Sequence, residues 1–276
     1  MLTWVNGELL DDAAATVSAF DHGLTVGDGV FETIKVLDGV PFALGRHLAR
    51  LGRSAAGLGL PAPDGPTVAK ACAAVVGQTG RGMYRLRITY TGGMGPLGSQ
   101  RGDAGPTLVV AIAAAAPMPP VATVAVVPWP RNERGALAGL KTTSYAENVI
   151  ALARAHELGA TEAICADTRG RLCEGTGSNV FVVVDGQVLT PPTSTGCLAG
   201  VTRDLVLEWT EAEEAELGLD VLDRADEIFL TSTTRDVQAV SAVAWGDRRR
   251  ELTAPGPVTR RLATVFARRS AADPEP

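Results

Sequence analysis

The alternation of apolar and polar positions divides the chain into two α/β halves. In the first, Leu2 to Val5 and Glu8 to Leu10 flank Asn6-Gly7, the composition of a tight hairpin turn. Phe31-Glu32-Thr33-Ile34-Lys35-Val36-Leu37 alternates with period two, and Asp38-Gly39 after it predicts a second hairpin. Leu44, Leu48, Leu51 and Ala55 fall at helical spacing within Leu44 to Leu58, with Gly57 and Gly59 as stop signals. Thr67 to Gln78 reads as another helix. Tyr84 to Tyr90 alternates again and runs into the glycine-rich loop Gly92-Gly93-Met94-Gly95-Pro96; Thr107 to Ala113 reads as a strand.

Pro117-Met118-Pro119-Pro120 marks the boundary between the halves. Beyond it, Val121 to Val127 reads as a strand. Ser144 stands three residues before Glu147, a capping-box spacing that starts a helix with Val149, Leu152, Ala153 and His156 on one side and a stop at Gly159. Ala163 to Ala166 and Val180 to Val184 read as strands, the second ending at an Asp185-Gly186 hairpin. A helix over Val201 to Glu214 and a strand over Glu227 to Leu230 follow. The expected organisation is a smaller N-terminal α/β domain over 1–116, a linker over 117–120, a larger domain over 121–270 and a disordered tail over 271–276.

Composition removes several classes of function. With 46% hydrophobic and 20% charged residues, the 276-residue chain can bury a substantial core. A net charge of −6 and no basic run longer than Arg248-Arg249-Arg250 argue against nucleic acid. No segment approaches the roughly 18 apolar residues of a membrane span, and the N-terminus lacks the pattern of a secretion signal. Cys72, Cys165, Cys173 and Cys197 are far apart, so reduced thiols in the cytoplasm are expected. His22, His47 and His156 form no metal-ligand pattern, and there is no P-loop or G-x-G-x-x-G.

Three segments carry candidate chemistry. Lys141 lies among small neutral neighbours in Gly139-Leu140-Lys141-Thr142-Thr143-Ser144-Tyr145, with no carboxylate over Ala136 to Thr143. Glu174 lies in the glycine- and hydroxyl-rich Leu172-Cys173-Glu174-Gly175-Thr176-Gly177-Ser178-Asn179. Gly200-Val201-Thr202-Arg203 opens a helix. An amine, a carboxylate and a helix N-terminus are the three parts a pyridoxal phosphate (PLP) site requires: a Schiff-base amine, a partner for the pyridine nitrogen and a phosphate cradle. Each also has an ordinary reading, as a surface lysine, a turn carboxylate and a plain helix start. The arginines of Arg46, Arg50 and Arg53 can likewise be a solvated helix face.

Taken in order, the segments resemble the class IV aminotransferases, the PLP enzymes of fold type IV, along nearly the whole chain. Asp21-His22-Gly23-Leu24-Thr25-Val26-Gly27-Asp28-Gly29-Val30-Phe31-Glu32-Thr33 is similar to the family's N-terminal signature, and Arg46-His47-Leu48-Ala49-Arg50-Leu51 to its phosphate-arginine helix. Lys141 with Tyr145, Glu174 through Phe181, Gly200 through Arg203, and Thr231 to Val237 are similar to its cofactor segments. The resemblance implies two α/β domains with the cofactor between them, and a homodimer. It implies that Lys141 is the catalytic amine and proton carrier and that Glu174 holds the pyridine nitrogen. Arg46, Val201, Thr202, Ser232 and Thr233 then bind phosphate, while Tyr145, Ser178 and Asn179 lie at the cofactor. Phe31, Thr33 and Arg87 are the candidate substrate contacts.

The implied activity is transfer of an amino group between an amino acid or primary amine and a 2-keto acid. The alternative is 4-amino-4-deoxychorismate lyase, which eliminates pyruvate from the same kind of site. Phe31-Glu32-Thr33 departs from the Phe-Glu-Gly of branched-chain enzymes. The loop Gly92 to Gly98 lacks the arginine and histidine of the best-known D-amino-acid enzymes, and both features resemble the lyase side. A non-catalytic scaffold of the same fold is a third reading, opposed by the presence of both Lys141 and Glu174.

Overall fold

The computed structural model describes residues 2–276. Two compact units divide the chain. The first runs to Pro117 and adds Leu140–Tyr145 and Asp273–Pro276; the second comprises Met118–Gly139 and Ala146–Ala272.

In the first unit, β1 (Leu2–Val5), β2 (Glu8–Asp11), α1 (His22–Thr25), β3 (Gly29–Leu37), β4 (Val40–Pro41), α2 (Leu44–Leu58), α3 (Gly65–Val76), β5 (Met83–Thr91) and β6 (Thr107–Ala114) follow in order. The sheet is antiparallel, in the order β2-β1-β6-β5-β3-β4. Side chains alternate across a strand, so one face of β3 and β5 carries Val30, Ile34, Val36, Leu86 and Ile88 into a core shared with Leu51, Ala55, Val68 and Cys72 of the helices. Each fully buried Ile or Leu contributes roughly 1.5–3 kcal/mol. The register pairs Thr33 with Arg87 and Phe31 with Thr89, which puts the candidate substrate residues together on the other face.

The second unit contains β7 (Val121–Val126), α4 (Ala146–Glu157), β8 (Glu162–Ala166), β9 (Leu172–Gly175), β10 (Asn179–Val184), β11 (Gln187–Thr190), α5 (Val201–Trp209), β12 (Glu213–Glu214), α6 (Val221–Arg224), β13 (Glu227–Ser232), β14 (Asp236–Trp245), β15 (Arg248–Glu251) and α7 (Pro257–Ala272). Its mixed sheet has the order β12-β11-β10-β13-β14-β7-β8-β9, with β15 on β14. Val180, Val182, Ile228, Leu230, Val240 and Val243 are buried in its core. No helix among the described residues is long and apolar enough to cross a membrane.

Four expectations are corrected. The helix from Val201 stops at Trp209 because Thr210 is extended, and Glu213–Glu214 pairs as a strand with β11. The buried stripe of α4 is Asn148, Ala151 and Ala155, whereas Val149 and His156 are exposed, because small alanines fit the close approach to the sheet. The Ser144 hydroxyl donates to the Gly27 carbonyl rather than capping α4. The segment expected to be a disordered tail is helical through Ala272 and then hydrogen-bonded to the start of α2.

Candidate active site

Lys141 is fixed through its backbone. Its N–H donates to Ser54 Oγ of α2 (3.2 Å), its carbonyl accepts from Phe31 N (3.0 Å), and Thr142 bridges to Val30. Thr143 ties the same strip to Gly27 and Gly29. Lys141 Nζ then stands 4.4 Å from the centre of the Phe31 ring and 5.8 Å from that of Tyr145, and the two rings meet edge to face at 5.1 Å. The Arg87 guanidinium lies 3.3 Å from the same Phe31 ring centre. Burial pulls Arg87 down to about 10, although the charges of Tyr145 and Glu32 work to raise it. Phe31, Tyr145, Arg87 and Lys141 thus form one cluster, with Thr33 opposite Arg87 on the sheet.

On α2, a cluster missed in the sequence supports this half of the site. Arg50 donates to both oxygens of the fully buried Glu32 (2.8 and 2.7 Å), and the His47 Nδ1–H donates to Glu32 Oε2 (2.7 Å). Burial opposes the charge on Glu32, yet Arg50's charge and the hydrogen bonds outweigh it and hold the carboxyl at about 2. Burial pushes His47 down, helped by the positive charges of Arg50 and Lys141 and opposed by Glu32. Arg46, by contrast, is half-buried and donates to the Pro276 carbonyl (2.7 Å). The signal for Arg50 was its place beside Leu51 on the apolar stripe, where an arginine needs a buried partner.

The second unit holds the carboxylate. Glu174 on β9 is buried; its Oε2 accepts from Leu198 N (2.9 Å) and its Oε1 lies 3.4 Å from Arg131 Nε. Arg131 also donates to Asn148 Oδ1, whose amide nitrogen donates to the Thr176 carbonyl. A second buried carboxylate, Glu162, shapes the turn after Glu174. It accepts from Thr176 N and Oγ1, Ser178 Oγ and Arg235 Nη2. The Ser178 hydroxyl therefore serves the turn, and the Asn179 amide donates to the Leu198 carbonyl (2.8 Å). Both side chains act as supports of the loop.

A Cβ at Gly200 would lie 2.0 Å from Asn179 Oδ1, so any larger residue displaces that amide. Gly200 opens α5 without a side-chain cap, leaving the first amides of Val201 and Thr202 without an intrahelical acceptor. Asn179 pairs with Thr231 across β10 and β13, which brings Ser232 and Thr233 to the same sheet end. The Thr231 hydroxyl is buried without a hydrogen-bond partner there. The second unit thus offers uncapped amides, hydroxyls and a buried carboxylate, and the first unit an amine among aromatic rings; these are the kinds of group that bind PLP.

The family model for amino-transferase class IV matches residues 29–243. A Methanocaldococcus jannaschii protein, provisionally named a branched-chain-amino-acid aminotransferase, is 37% identical over 87% of both chains. D-alanine aminotransferase of Bacillus licheniformis is 31% identical over 95% of this chain and 94% of its own. The Escherichia coli branched-chain aminotransferase structure superposes with a TM-score of 0.89 at 26% identity, covering 96% of this chain and 93% of that one. A hypothetical aminotransferase from Mycobacterium tuberculosis, in its PLP-bound form, superposes at 0.84, with 26% identity over 97% and 98% of the two chains. The chain belongs to the class IV aminotransferases, and it is a PLP-dependent enzyme of fold type IV. These names favour amino transfer over the lyase reading.

Proposed function

We propose that this aminotransferase takes its amino group from an amino acid and that Arg87 reads the donor's carboxylate. The observation that carries this reading is the shared Phe31 ring, with the Lys141 amine at 4.4 Å and the Arg87 guanidinium at 3.3 Å from its centre. An amino acid carries its nitrogen and carboxylate on one carbon, so an amine and a planar cationic fork around one ring suit it. The names of the two relatives, a branched-chain and a D-alanine enzyme, point to the same substrate class.

When bound, PLP supplies an electron sink for the charge left at the donor's Cα. Lys141 would hold the cofactor through Nζ and, once a donor's amine displaces it, would carry the donor's Cα proton on that nitrogen. Glu174, with Arg131 balancing its charge, would hold the pyridine nitrogen. The Val201 and Thr202 amides with Ser232 and Thr233 would hold the phosphate. Arg50, the buried arginine of α2, takes the anion-facing role that the resemblance gave to Arg46. Glu174→Gln is expected to retain PLP yet lower kcat about 100-fold, since one electrostatic contact to the reacting system is weakened; steady-state rates at saturating PLP check this. The donor is identified by incubating the PLP-loaded enzyme with L-amino acids, D-amino acids and primary amines in turn. Keto-acid formation from amino acids supports the reading, and conversion of amines alone refutes it.

We further propose a homodimer in the cytoplasm. Unpaired thiols at all four cysteines suit a reducing compartment. Phe20, Leu24, Val26, Met94 and Leu97 are exposed on segments tied together by Gly95 N–H donating to the Phe20 carbonyl and His22 N–H to Gly93. Such an apolar patch suits a second copy of the chain. Replacing both Leu24 and Leu97 by Asp is expected to give monomers in sedimentation, and an unchanged oligomer contradicts this face.

A further inference from the structure

The helix that supports Lys141 lacks a cap of its own. Ala43 precedes α2 in a left-handed conformation (φ 53°, ψ 41°) with no side-chain hydrogen bond, and the first turn has no acidic residue. The first N–H groups at such an end need acceptors. Those of Ala43, Leu44 and Gly45 find them in the Asp273–Pro276 segment, where the chain returns to the first unit after α7. Ala43 N–H donates to the Pro274 carbonyl (2.7 Å), Leu44 N–H to Glu275 Oε2 (2.9 Å), and Gly45 N–H to Glu275 Oε1. Arg46 Nε reaches the Pro276 carbonyl, and Asp273 Oδ1 accepts from Glu275 N and fixes the turn that presents the carboxylate.

The absence of a side chain at Gly45 accommodates the same contact. A Cβ at this position would meet Glu275 Oε1 at 2.6 Å, so the side chain is absent where the carboxylate docks. A carboxylate at a helix N-terminus also meets the positive end of the helix dipole.

We infer that Glu275 is a positioning residue: it caps α2 from the far end of the sequence and so sets His47, Arg50 and Ser54 relative to Lys141. Ser54 and Lys141 share a hydrogen bond, and Arg50 and His47 hold Glu32 three helical turns or fewer from the capped end. This inference rests on the proposed role of the Arg50 half-site in holding PLP.

Two readouts test it on the full-length protein. Amide hydrogen exchange of peptides covering Leu44 to Arg50 is expected to accelerate about tenfold in Glu275→Ala, as for loss of an N-cap, while the β5 and β6 peptides stay unchanged. The PLP dissociation constant, titrated by absorbance, is expected to rise several-fold, with kcat at saturating PLP nearly retained. Gly45→Ala, which displaces the carboxylate without removing it, is expected to reproduce both effects, and Glu275→Gln, which keeps one acceptor, to show half-sized ones. Unchanged exchange in Glu275→Ala overturns the cap. Faster exchange with unchanged PLP affinity overturns the positioning role. A wild-type protein that fails to bind PLP refutes the half-site reading instead, whatever the exchange shows.

Discussion

Lys141→Ala is expected to fold normally and to lose turnover by about a thousandfold or more. The loss is that large because one amine serves twice, as the cofactor's anchor and as the carrier of the Cα proton; acid–base catalysis alone is worth roughly 100- to 10,000-fold. The fold is expected to survive because the ties of this residue are made by its backbone. The N–H to Ser54 Oγ, the carbonyl to Phe31 N and the neighbouring Thr142–Val30 bridge need no lysine side chain. Phe31 and Tyr145 lose a cation from beside their rings, which costs about 1 kcal/mol at most exposed sites. Circular dichroism and thermal melts close to those of the wild type, together with steady-state rates, check both parts. Retained turnover means that another amine does the chemistry.

Glu32→Ala is expected to be the most destabilising single change in the first unit. It leaves Arg50 buried without its carboxylate, a loss of about 3–5 kcal/mol. The pH dependence follows from the same cluster. The Glu32 carboxyl is held at about 2 in the folded protein against 4.5 in its ordinary state. Its contribution, about 3 kcal/mol, is therefore complete above pH 4.5 and is lost as the pH falls toward 2. His47 is also depressed, so below its ordinary value of 6.5 the unfolded chain takes up a proton that the folded chain refuses. Stability falls there as well. Urea melts across this range should show the wild type weakening in both windows and Glu32→Ala lacking the decline between 4.5 and 2. A variant as stable as the wild type at neutral pH contradicts the buried pair.

What could be read from the sequence, and what could not, follows from the range of the interactions. The period-two run from Phe31 to Leu37 and the helical stripe from Leu44 to Leu58 are local patterns, and the structure has both. Lys141, Glu174 and the Gly200 helix start stand in segments whose composition is itself unusual, so they could be picked out one by one. Non-local partners could not. Nothing near Glu162 in the chain announces that it collects Thr176, Ser178 and Arg235, so the sequence alone does not tell a Ser178 that supports the turn from one at the cofactor. Arg46 and Arg50 are both arginines on one helix. The Glu32 carboxylate on β3 and the Pro276 carbonyl distinguish them. The segment 273–276 is short, polar and proline-bearing, which reads as disorder until the uncapped end of α2 appears beside it. Val149 differs for another reason: its helix packs alanines against the sheet and leaves the branched residue outside.

The Lys141 amine is the group expected to hold PLP. The most direct measurement is to load the wild-type enzyme with PLP, reduce it with borohydride, digest it and locate the pyridoxyl group by mass spectrometry. Stoichiometric label is expected on the peptide containing Lys141, and none when an amino-acid donor is added before reduction. Label on Lys35 or Lys70, or no label at all, would contradict it.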